Sequence, residues 1–463
     1  MIDSLNPYPK MKDSGVPWLG QVPDHWTVKR MKTLLRERVE KGHPDEPLLA
    51  ATQTKGVVRK ENYEHRTVLA LKDLHLLKLV CVGDFVISLR SFQGGIEYAR
   101  ERGIISPAYT ILYPSQRDMH GFLAKLFKSA PFIDALSLYV TGIRQGQNID
   151  YEKLGRSGLP VPPLPEVAAI ARFLEHVDRR MRRSIRAKQK LIKLLEERKQ
   201  AIAHRLVTRG VDPNVRLKPS GFEWLGEVPE QWAVERGKCF FREVDERTST
   251  GAEELLSVSH LTGVTPRNQK QITMFKAESY VGSKLCQPGD IAVNTMWAWM
   301  GPVGVSRFHG IVSPSYHTYR QRHPCHYNEE YLDLLLRTAT YKTMYRVLST
   351  GITSSRMRLY PEKFLCIPFL CPPVREQALI VDAVTEATRD ADRVLTTTAQ
   401  EVLLLRELRD RLITDVVTGK VDVREAAARL PAESTDVVED WDVGEDVLDD
   451  DFDDDAQENL VED

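Results

Sequence analysis

Four stretches of this chain concentrate side chains suited to reading base edges. In "LRSFQGGIEYARERG" (89–103), Arg90, Gln93, Arg100 and Arg102 lie between two strand-like segments, and Gly94-Gly95 would let the backbone approach a ligand closely. "TGIRQGQNID" (141–150) adds Arg144, Gln145, Gln147 and Asn148. The second half of the chain has "NTMWAWMGPVGVSR" (294–307), which ends in Arg307, and "TGITSSRMR" (350–358), with Arg356 and Arg358. In a major groove guanidinium groups pair with guanine and side-chain amides with adenine, and both also meet phosphates. Singly, each residue could equally be a solvated surface group. As loops, they are the candidate nucleic-acid contacts.

The charge distribution agrees with that chemistry. The net charge is −1, but residues from Glu433 to Asp463 hold sixteen acids and no lysine or arginine. Removing those sixteen negative charges leaves the body of the chain at about +15. A basic body with an acidic tail points to a polyanionic partner, nucleic acid first. The composition, 42% hydrophobic and 28% charged, describes a globular protein, and 463 residues suggest two or three domains. No apolar run approaches the length of a membrane span, and the N-terminus lacks the apolar core of a secretion signal. Six unevenly spaced cysteines, one before residue 239 and five from it onward, fit a reduced, cytoplasmic chain.

Catalytic readings fare less well. "SPAY" (106–109) and "SPSY" (313–316) resemble the [DNS]-P-P-[YF] motif with which amino-methyltransferases hold a flipped base, yet both lack the second proline. No Gly-rich loop follows a strand at a spacing suited to adenosylmethionine, so a proline turn at a strand end explains both copies better. Asp84 and Asp290 sit in Gly-Asp turns without the Glu-x-Lys group that would hold Mg²⁺ for a nuclease. No phosphate-binding G-x-x-x-x-G-K-[ST] loop occurs, and "HPCH" (323–326) lacks a second ligand pair for zinc. The expectation is a chain with no catalytic residue, no metal site and no cofactor of its own.

The elements that must position the loops are written twice. "SGVPWLGQVPDHW" from Ser14 returns as "SGFEWLGEVPEQW" from Ser220, keeping Trp18/Trp224, Leu19/Leu225, Gly20/Gly226, Val22/Val228, Pro23/Pro229 and Trp26/Trp232 in register. "VGDFVISLR" from Val82 matches "PGDIAVNTM" from Pro288, and "GIISPAY" from Gly103 matches "GIVSPSY" from Gly310. "TGI" recurs at Thr141 and Thr350, and Pro-Pro-x-x-Glu ends at Glu166 and Glu376. Short β-branched segments bounded by Gly or Pro read as strands, and 120–139 and 328–348 read as helices between them, so each unit is α+β. Trp18, Trp26, Trp224 and Trp232 could be base-stacking platforms, but their recurrence at fixed spacing points to packing in a core or at a domain edge. Lys41–His75 shows little kinship with Arg247–Val281, which marks those stretches as the part that diverged for readout.

Each unit is followed by more than 40 residues without Pro or Gly. The first run carries Leu174, Met181, Lys188, Leu195 and Ile202 at one heptad position, and Asp178, Ile185, Ile192, Lys199 and Leu206 at the other. Advancing 210 residues gives Val384, Ala391, Thr398, Leu405 and Leu412 with Thr388, Leu395, Val402, Arg409 and Val416, the same seam in the same register. Residues 172–209 hold thirteen Lys/Arg against four acids, whereas 376–418 hold nine acids against five Arg. Isolated helices of this kind need partners, and opposite charge favours pairing with each other.

The combination resembles the specificity subunit of type I restriction-modification systems over residues 13 to about 425. The resemblance rests on the paired W-L-G-x-V-P-x-x-W openings, the Gly-Asp and G-I-[IV]-S-P-x-Y strands, "TGI" with Pro-Pro-x-x-Glu, and helix ends "VTRGVD" (207–212) and "VTGKVD" (417–422). It implies an α+β fold with two mainly-β target-recognition domains separated by two long antiparallel paired helices, related by a pseudo-two-fold. The implied boundaries are 1–162 and 219–371 for the recognition domains, 163–218 and 372–430 for the helical spacers, and 431–463 for an acidic disordered tail. The implied partners are double-stranded DNA, two methyltransferase subunits and an endonuclease/translocase subunit, with S-adenosylmethionine, ATP and Mg on those partners. A helix of about 42 residues is about 63 Å long, enough to hold two readers over half-sites about 34 Å apart.

Two other readings compete: a stand-alone DNA adenine methyltransferase, and a coiled-coil scaffold without DNA contact, which leaves the basic body unexplained. The tail, with Trp441, Val447, Leu448 and Phe452 among its carboxylates, has a solvating role as its plain reading. A sharper expectation is that it covers basic surface until DNA displaces it, so truncation after Leu430 should strengthen non-specific DNA binding at low salt.

Overall fold

In a computed structural model, the structure describes residues 5–53, 55–62, 73–141, 148–269, 279–323, 326–351 and 357–431. The chain divides into two compact units. The first joins Met1–Gln189 to a segment beginning at Gln400, and the second is Lys190–Ala399. Each unit is mixed α+β and each takes part of both long helices, Leu164–Arg209 and Val374–Val417.

The first unit is built on a four-stranded antiparallel sheet. Its order is Leu35–Glu37, Thr110–Pro114, Phe85–Ile87, Glu97–Tyr98. The second unit repeats it as Phe241–Val244, His317–Gln321, Ile291–Val293, Val303–Val305. The repeated Gly-Ile strands, Gly103–Ile105 and Gly310–Val312, pair with Lys78–Val80 and Lys284–Cys286. Their glycines have a shared cause: a Cβ on Gly103 would lie 2.3 Å from Pro47 O, and one on Gly310 2.3 Å from Glu254 O.

The stretches that look unrelated in sequence fold alike. Leu49–Thr52 and Gly56–Arg59 form an antiparallel hairpin in the first unit, and Leu256–Ser259 and Gly263–Pro266 form its counterpart. Each hairpin is tied to its unit by a parallel bridge, Leu48 to Ile104 and Leu255 to Ile311. A hairpin needs only alternation and a turn, so side-chain identity drifts while the backbone pairing stays. The expected helices over 120–139 and 328–348 are each broken in two, His120–Leu126 with Ala130–Leu136 and Glu329–Leu336 with Ala339–Leu348. At the break, the hydroxyls of Ser129 and Thr338 donate to the carbonyls three residues back, at 2.7 and 2.9 Å.

The cores are filled differently. Phe85, Phe122, Phe127, Phe132 and Phe173 dominate the first. The second uses Tyr327, Tyr331, Tyr341 and Tyr345, whose hydroxyls donate to Leu370, Val207, Pro368 and Leu336 carbonyls at 3.0–3.1 Å. A buried phenol needs such a partner, and carbonyls not used by helix or sheet provide it. Of the repeated tryptophans, Trp26 and Trp232 are fully buried, whereas Trp18 and Trp224 are half-buried with their rings against Phe132 and Tyr341.

Both long helices end on a left-handed glycine, Gly210 at φ +78° and Gly419 at φ +77°. A Cβ on Gly419 would lie 3.0 Å from the Trp26 ring, and one on Gly210 3.4 Å from the Trp232 ring. Each helix end is therefore seated on the second tryptophan of a repeated opening. Beyond Gly419 the chain continues in the first core through Val423, Ala427 and Leu430, the same core that takes Leu174, Met181, Leu412 and Val416 of the long helices.

Candidate nucleic-acid interface

The Gly-Asp turns are structural anchors. Asp84 and Asp290 are 2% and 1% exposed and accept from the backbone N–H of Cys81 and Gln287 at 2.8 and 2.9 Å. Each carboxylate is also gripped by an arginine through two nitrogens. Arg38 Nε and Nη2 lie 2.7 and 3.2 Å from Asp84, and Arg320 Nε and Nη2 lie 2.7 and 2.8 Å from Asp290. These charge-assisted bonds raise the pKa of both arginines, the bond to the aspartate being the largest cause. The arginines are not equivalent residues. Tyr113 opposes Arg36 in the first sheet as Arg320 opposes Arg242 in the second, so Arg320 occupies the place of Tyr113. Arg38 comes from the neighbouring strand and lies over the Tyr113 ring at 4.9 Å.

The "SPAY" and "SPSY" copies are turns as well. Ser106 Oγ accepts from Ala108 N and Ser313 Oγ from Ser315 N, both at 3.3 Å. Tyr316 then takes a hydrogen bond from Asn294 Nδ2 at 2.8 Å inside the second unit. Glu166, which closes Pro-Pro-x-x-Glu, is buried and accepts from Tyr8 Oη, from Trp26 Nε1 at 2.9 Å and from His25 Nε2 at 2.7 Å. Burial, with the bond to Glu166, drives the Tyr8 pKa far upward. Among the described residues no group of three or more His, Cys, Asp or Glu could hold a metal ion.

With the repeats accounted for as scaffold, one place in each unit stands out. In the first, the hairpin turn at Gln53 meets the sheet turn Ser91–Gly94, and Gln53 Nε2 donates to Gln93 Oε1 at 3.3 Å. Gln53, Lys55, Arg90 and Gln93 are all exposed there. In the second unit the matching turns carry His260, Leu261 and Thr262 on the hairpin and Met296, Trp297 and Trp299 on the sheet, with the two indole rings 5.9 Å apart. The segment around Arg358 joins them, since Leu359 N donates to Thr295 O at 3.2 Å. The two places thus carry different chemistry: exposed amides and cations in one, and half-buried Met296, Trp297 and Trp299 with exposed Leu261 beside His260, Thr262 and Arg358 in the other.

The sequence-derived contacts fall in several environments. Arg90 is exposed and its guanidinium has no ion-pair partner among the described residues, and Gln93 belongs to the amide pair above. Arg100 has its pKa lowered by burial and by the charge of Arg182. Arg102 and Arg307 are exposed but ion-paired, with Glu46 at 2.7 Å and Glu330 at 3.1 Å. Such surface pairs are weak and yield readily to phosphate. Asn148 is exposed on a strand paired with Thr141, and Arg358 is exposed on backbone bonded to Thr350. Arg144, Gln145, Gln147 and Arg356 lie outside the described residues. Gly94 and Gly95 do allow close approach, but to the protein itself: a Cβ on Gly95 would lie 2.2 Å from Phe127 O. Gln53 and His260 fall within the two stretches marked as diverged for readout but were not singled out there, because nothing in the sequence marked those stretches as folding alike in both halves.

The heptad positions lie on the packed side of the long helices. Leu174, Met181, Ile185, Ile192, Leu206, Val384, Val402, Leu412 and Val416 are buried, and Leu195, Ile202, Ala391, Leu395 and Leu405 are half-buried. Leu194, Leu403 and Leu404, off the seam, are more than half exposed. The polar seam residues have partners. Lys188 donates to Glu401 at 2.5 Å in the first unit, and Lys199 bonds Asp392 in the second. Asp178 pairs with Lys125 at 2.6 Å and Arg182 at 3.2 Å, which hold its pKa down against burial. Asp178 also feels the charge of Arg409 in the first unit, and a Cβ on Gly210 would lie 2.9 Å from Glu376 Oε1 in the second, so in each unit the partner number falls as the helix number rises and the helices run antiparallel.

No protein-family model matches this sequence. Among solved structures it is similar to a chain from a type I R-M system studied for its complex assembly and conformational transition. That chain is 15% identical, with 86% of this chain and 98% of that one covered and a TM-score of 0.58. The fold is one found in type I restriction-modification systems. Weaker likenesses are to the HsdS subunit from Thermoanaerobacter tengcongensis (14% identity, 86% and 98% covered, TM-score 0.39) and to the type I restriction-modification S subunit from M. genitalium (13%, 89% and 98%, 0.35). Their scores are too low to add to the first. Among the described residues no helix is long and apolar enough to cross a membrane.

Proposed function

We propose that this chain is the non-catalytic specificity subunit of a type I restriction-modification complex, and that it reads a bipartite DNA target with two unlike halves. The observation that carries the reading is the pair of equivalent surfaces with dissimilar side chains. Amides and guanidinium at Gln53, Arg90 and Gln93 suit hydrogen bonds to purine edges, whereas Leu261, Met296, Trp297 and Trp299 suit thymine methyls and base faces. One scaffold written twice with two lettered surfaces is what an asymmetric target requires.

In this reading Lys/Arg–phosphate contacts from the +15 body supply most of the affinity and its salt dependence, while the paired surfaces supply discrimination. Methylation and cleavage belong to methyltransferase and endonuclease/translocase partners, which carry S-adenosylmethionine, ATP and Mg. The long helices are the surface that recruits them.

Mapping methylated adenines in host DNA, with and without this chain, tests the proposal. The expected result is a motif of two different short sequences separated by a fixed gap, lost entirely when the chain is deleted. A single contiguous motif, or one that survives deletion, would overturn it.

A further inference from the structure

The two hairpin turns are held by cations that the sequence does not repeat. Lys128 Nζ donates to Gln53 O at 3.0 Å, to Gly94 O at 2.7 Å and to Glu97 Oε1 at 2.6 Å. One ammonium therefore ties the hairpin turn to the sheet turn that bears Arg90 and Gln93. In the second unit the same place is taken by Arg337. Both residues directly precede the hydroxyl that breaks the helix pair, Ser129 and Thr338. Arg337 Nη2 donates to Leu261 O on the hairpin turn, and its Nη1 lies 3.4 Å from Asp333 Oδ2. Asp333 Oδ1 in turn accepts from Val305 N on the sheet at 2.9 Å. The carboxylate has changed element, from sheet (Glu97) to helix (Asp333), while the link from cation to hairpin carbonyl is kept.

These links act on the turns and not on the hairpin bodies. Leu49 and Val57 are buried with Val80, Val86 and Ala99, and Leu256, Val258 and Val264 with Cys286, Ala292 and Val312. Those contacts hold the strands whether or not the cation is present. Lys128, with its side chain about one-third exposed, makes its ion pair with the buried Glu97, whereas Asp333, the partner of Arg337, is about one-quarter exposed.

We infer that Lys128 and Arg337 are positioning residues for DNA reading, each fixing the turn that presents the base-contacting side chains of its own unit. The inference rests on the reading under Proposed function. The Thr52 hydroxyl, bonded to Lys55 N and Gly56 O at 3.0 and 2.9 Å, and the 3.3 Å Gln53–Gln93 bond also brace the first turn, as Ser259 Oγ braces the second at Leu261 N. Base contacts discriminate only if the side chains are held to within about half an ångström, and a turn that loses its charged tie to the rest of the unit falls short of that. Lys128→Ala should blur the half-site read by the first unit, and Arg337→Ala the half-site read by the second.

The test uses the full chain in its native complex, with Lys128→Ala, Lys128→Arg, Arg337→Ala and Arg337→Lys. Methylated positions are mapped across the genome, and hydrogen exchange is followed at 49–59 and 256–266. Each alanine variant should lower discrimination about tenfold in one half of the motif only, a different half for each. Exchange should quicken at its own hairpin turn while the central sheet stays protected. The Lys128→Arg and Arg337→Lys variants should restore most of the discrimination. The slope of log affinity against log salt should stay unchanged, whereas a cation that contacts phosphate would lower it by about one. Loss in both halves together, loss in neither, failure of Lys128→Arg to rescue, or a lower salt slope would each overturn the inference while leaving bipartite recognition in place. A wild type that yields no bipartite motif would overturn the recognition reading, and this inference with it.

Discussion

Moving the arginine that grips Asp84 offers the sharpest test of the duplicated scaffold. Arg38→Val deletes two hydrogen bonds, at 2.7 and 3.2 Å, to a carboxylate that is 2% exposed. Leaving a buried carboxylate without its counter-charge costs about 3–5 kcal/mol. The Arg38 side chain is itself 23% exposed, so water replaces part of the loss and about 3 kcal/mol is expected. The second unit shows how to repair it, because Arg320 reaches Asp290 from the adjacent strand at the position of Tyr113. Arg38→Val with Tyr113→Arg should regain about 2 kcal/mol, a coupling well beyond additivity. Global melting of a two-unit chain is not one transition, so the assay is hydrogen exchange at Phe85–Ile87 and Thr110–Pro114 in the full chain. Exchange there should rise about a hundredfold in the single variant and fall back by more than tenfold in the double. Amides of Ile291–Val293 serve as an unaffected control. Unchanged exchange in Arg38→Val, or a double variant no slower than the single, would refute the reasoning.

Two further outcomes are expected. Burial lifts the Glu97 pKa from 4.5 to about 7, against the pull of Lys128, so the folded first unit holds a proton that the unfolded chain releases between those values. Stability of the first unit should therefore fall as pH rises from about 4.5 to about 7, by at most about 3 kcal/mol. Glu97→Gln should flatten that dependence, and protection of Phe85–Ile87 against hydrogen exchange, corrected for the intrinsic effect of pH, that still declines equally in the variant would refute the assignment. At the seam, Lys188→Glu sets two carboxylates against each other and should destabilise the first unit by about 1 kcal/mol, with Glu401→Lys restoring it. Hydrogen exchange at Phe85–Ile87 in the single and the double variant checks this, and equal protection in the two would refute the pairing.

Much of the architecture was legible because duplication is a comparison the chain makes with itself. Residues kept at a fixed spacing proved to be scaffold: Asp84 and Asp290 as turn anchors, Trp26 and Trp232 as core, Gly103 and Gly310 as points where backbones touch. The heptads assigned the packed side of both helices, since a 3.5-residue period is a local property of the sequence. The hairpins were illegible for the complementary reason. Their pairing relies on backbone hydrogen bonds, so Gln53 and His260 share a place in the fold without sharing a sequence pattern. The Gly94-Gly95 pair misled in a different way: an unusual glycine pair signals close approach, but sequence does not say to what.

By itself the sequence determined the repeat, the strand and helix classes, the seam and the concentration of charge, all of which follow from local spacing and composition. Only the tertiary structure decided which side chains meet across long separations. Arg38 and Arg320 serve equivalent aspartates from different strands, and Lys128 and Arg337 hold equivalent turns beside carboxylates from different elements. A buried carboxylate or a turn carbonyl requires a cation within hydrogen-bond reach, and it is indifferent to which element supplies it. That requirement is met in three dimensions, so the chain can satisfy it twice without writing it twice.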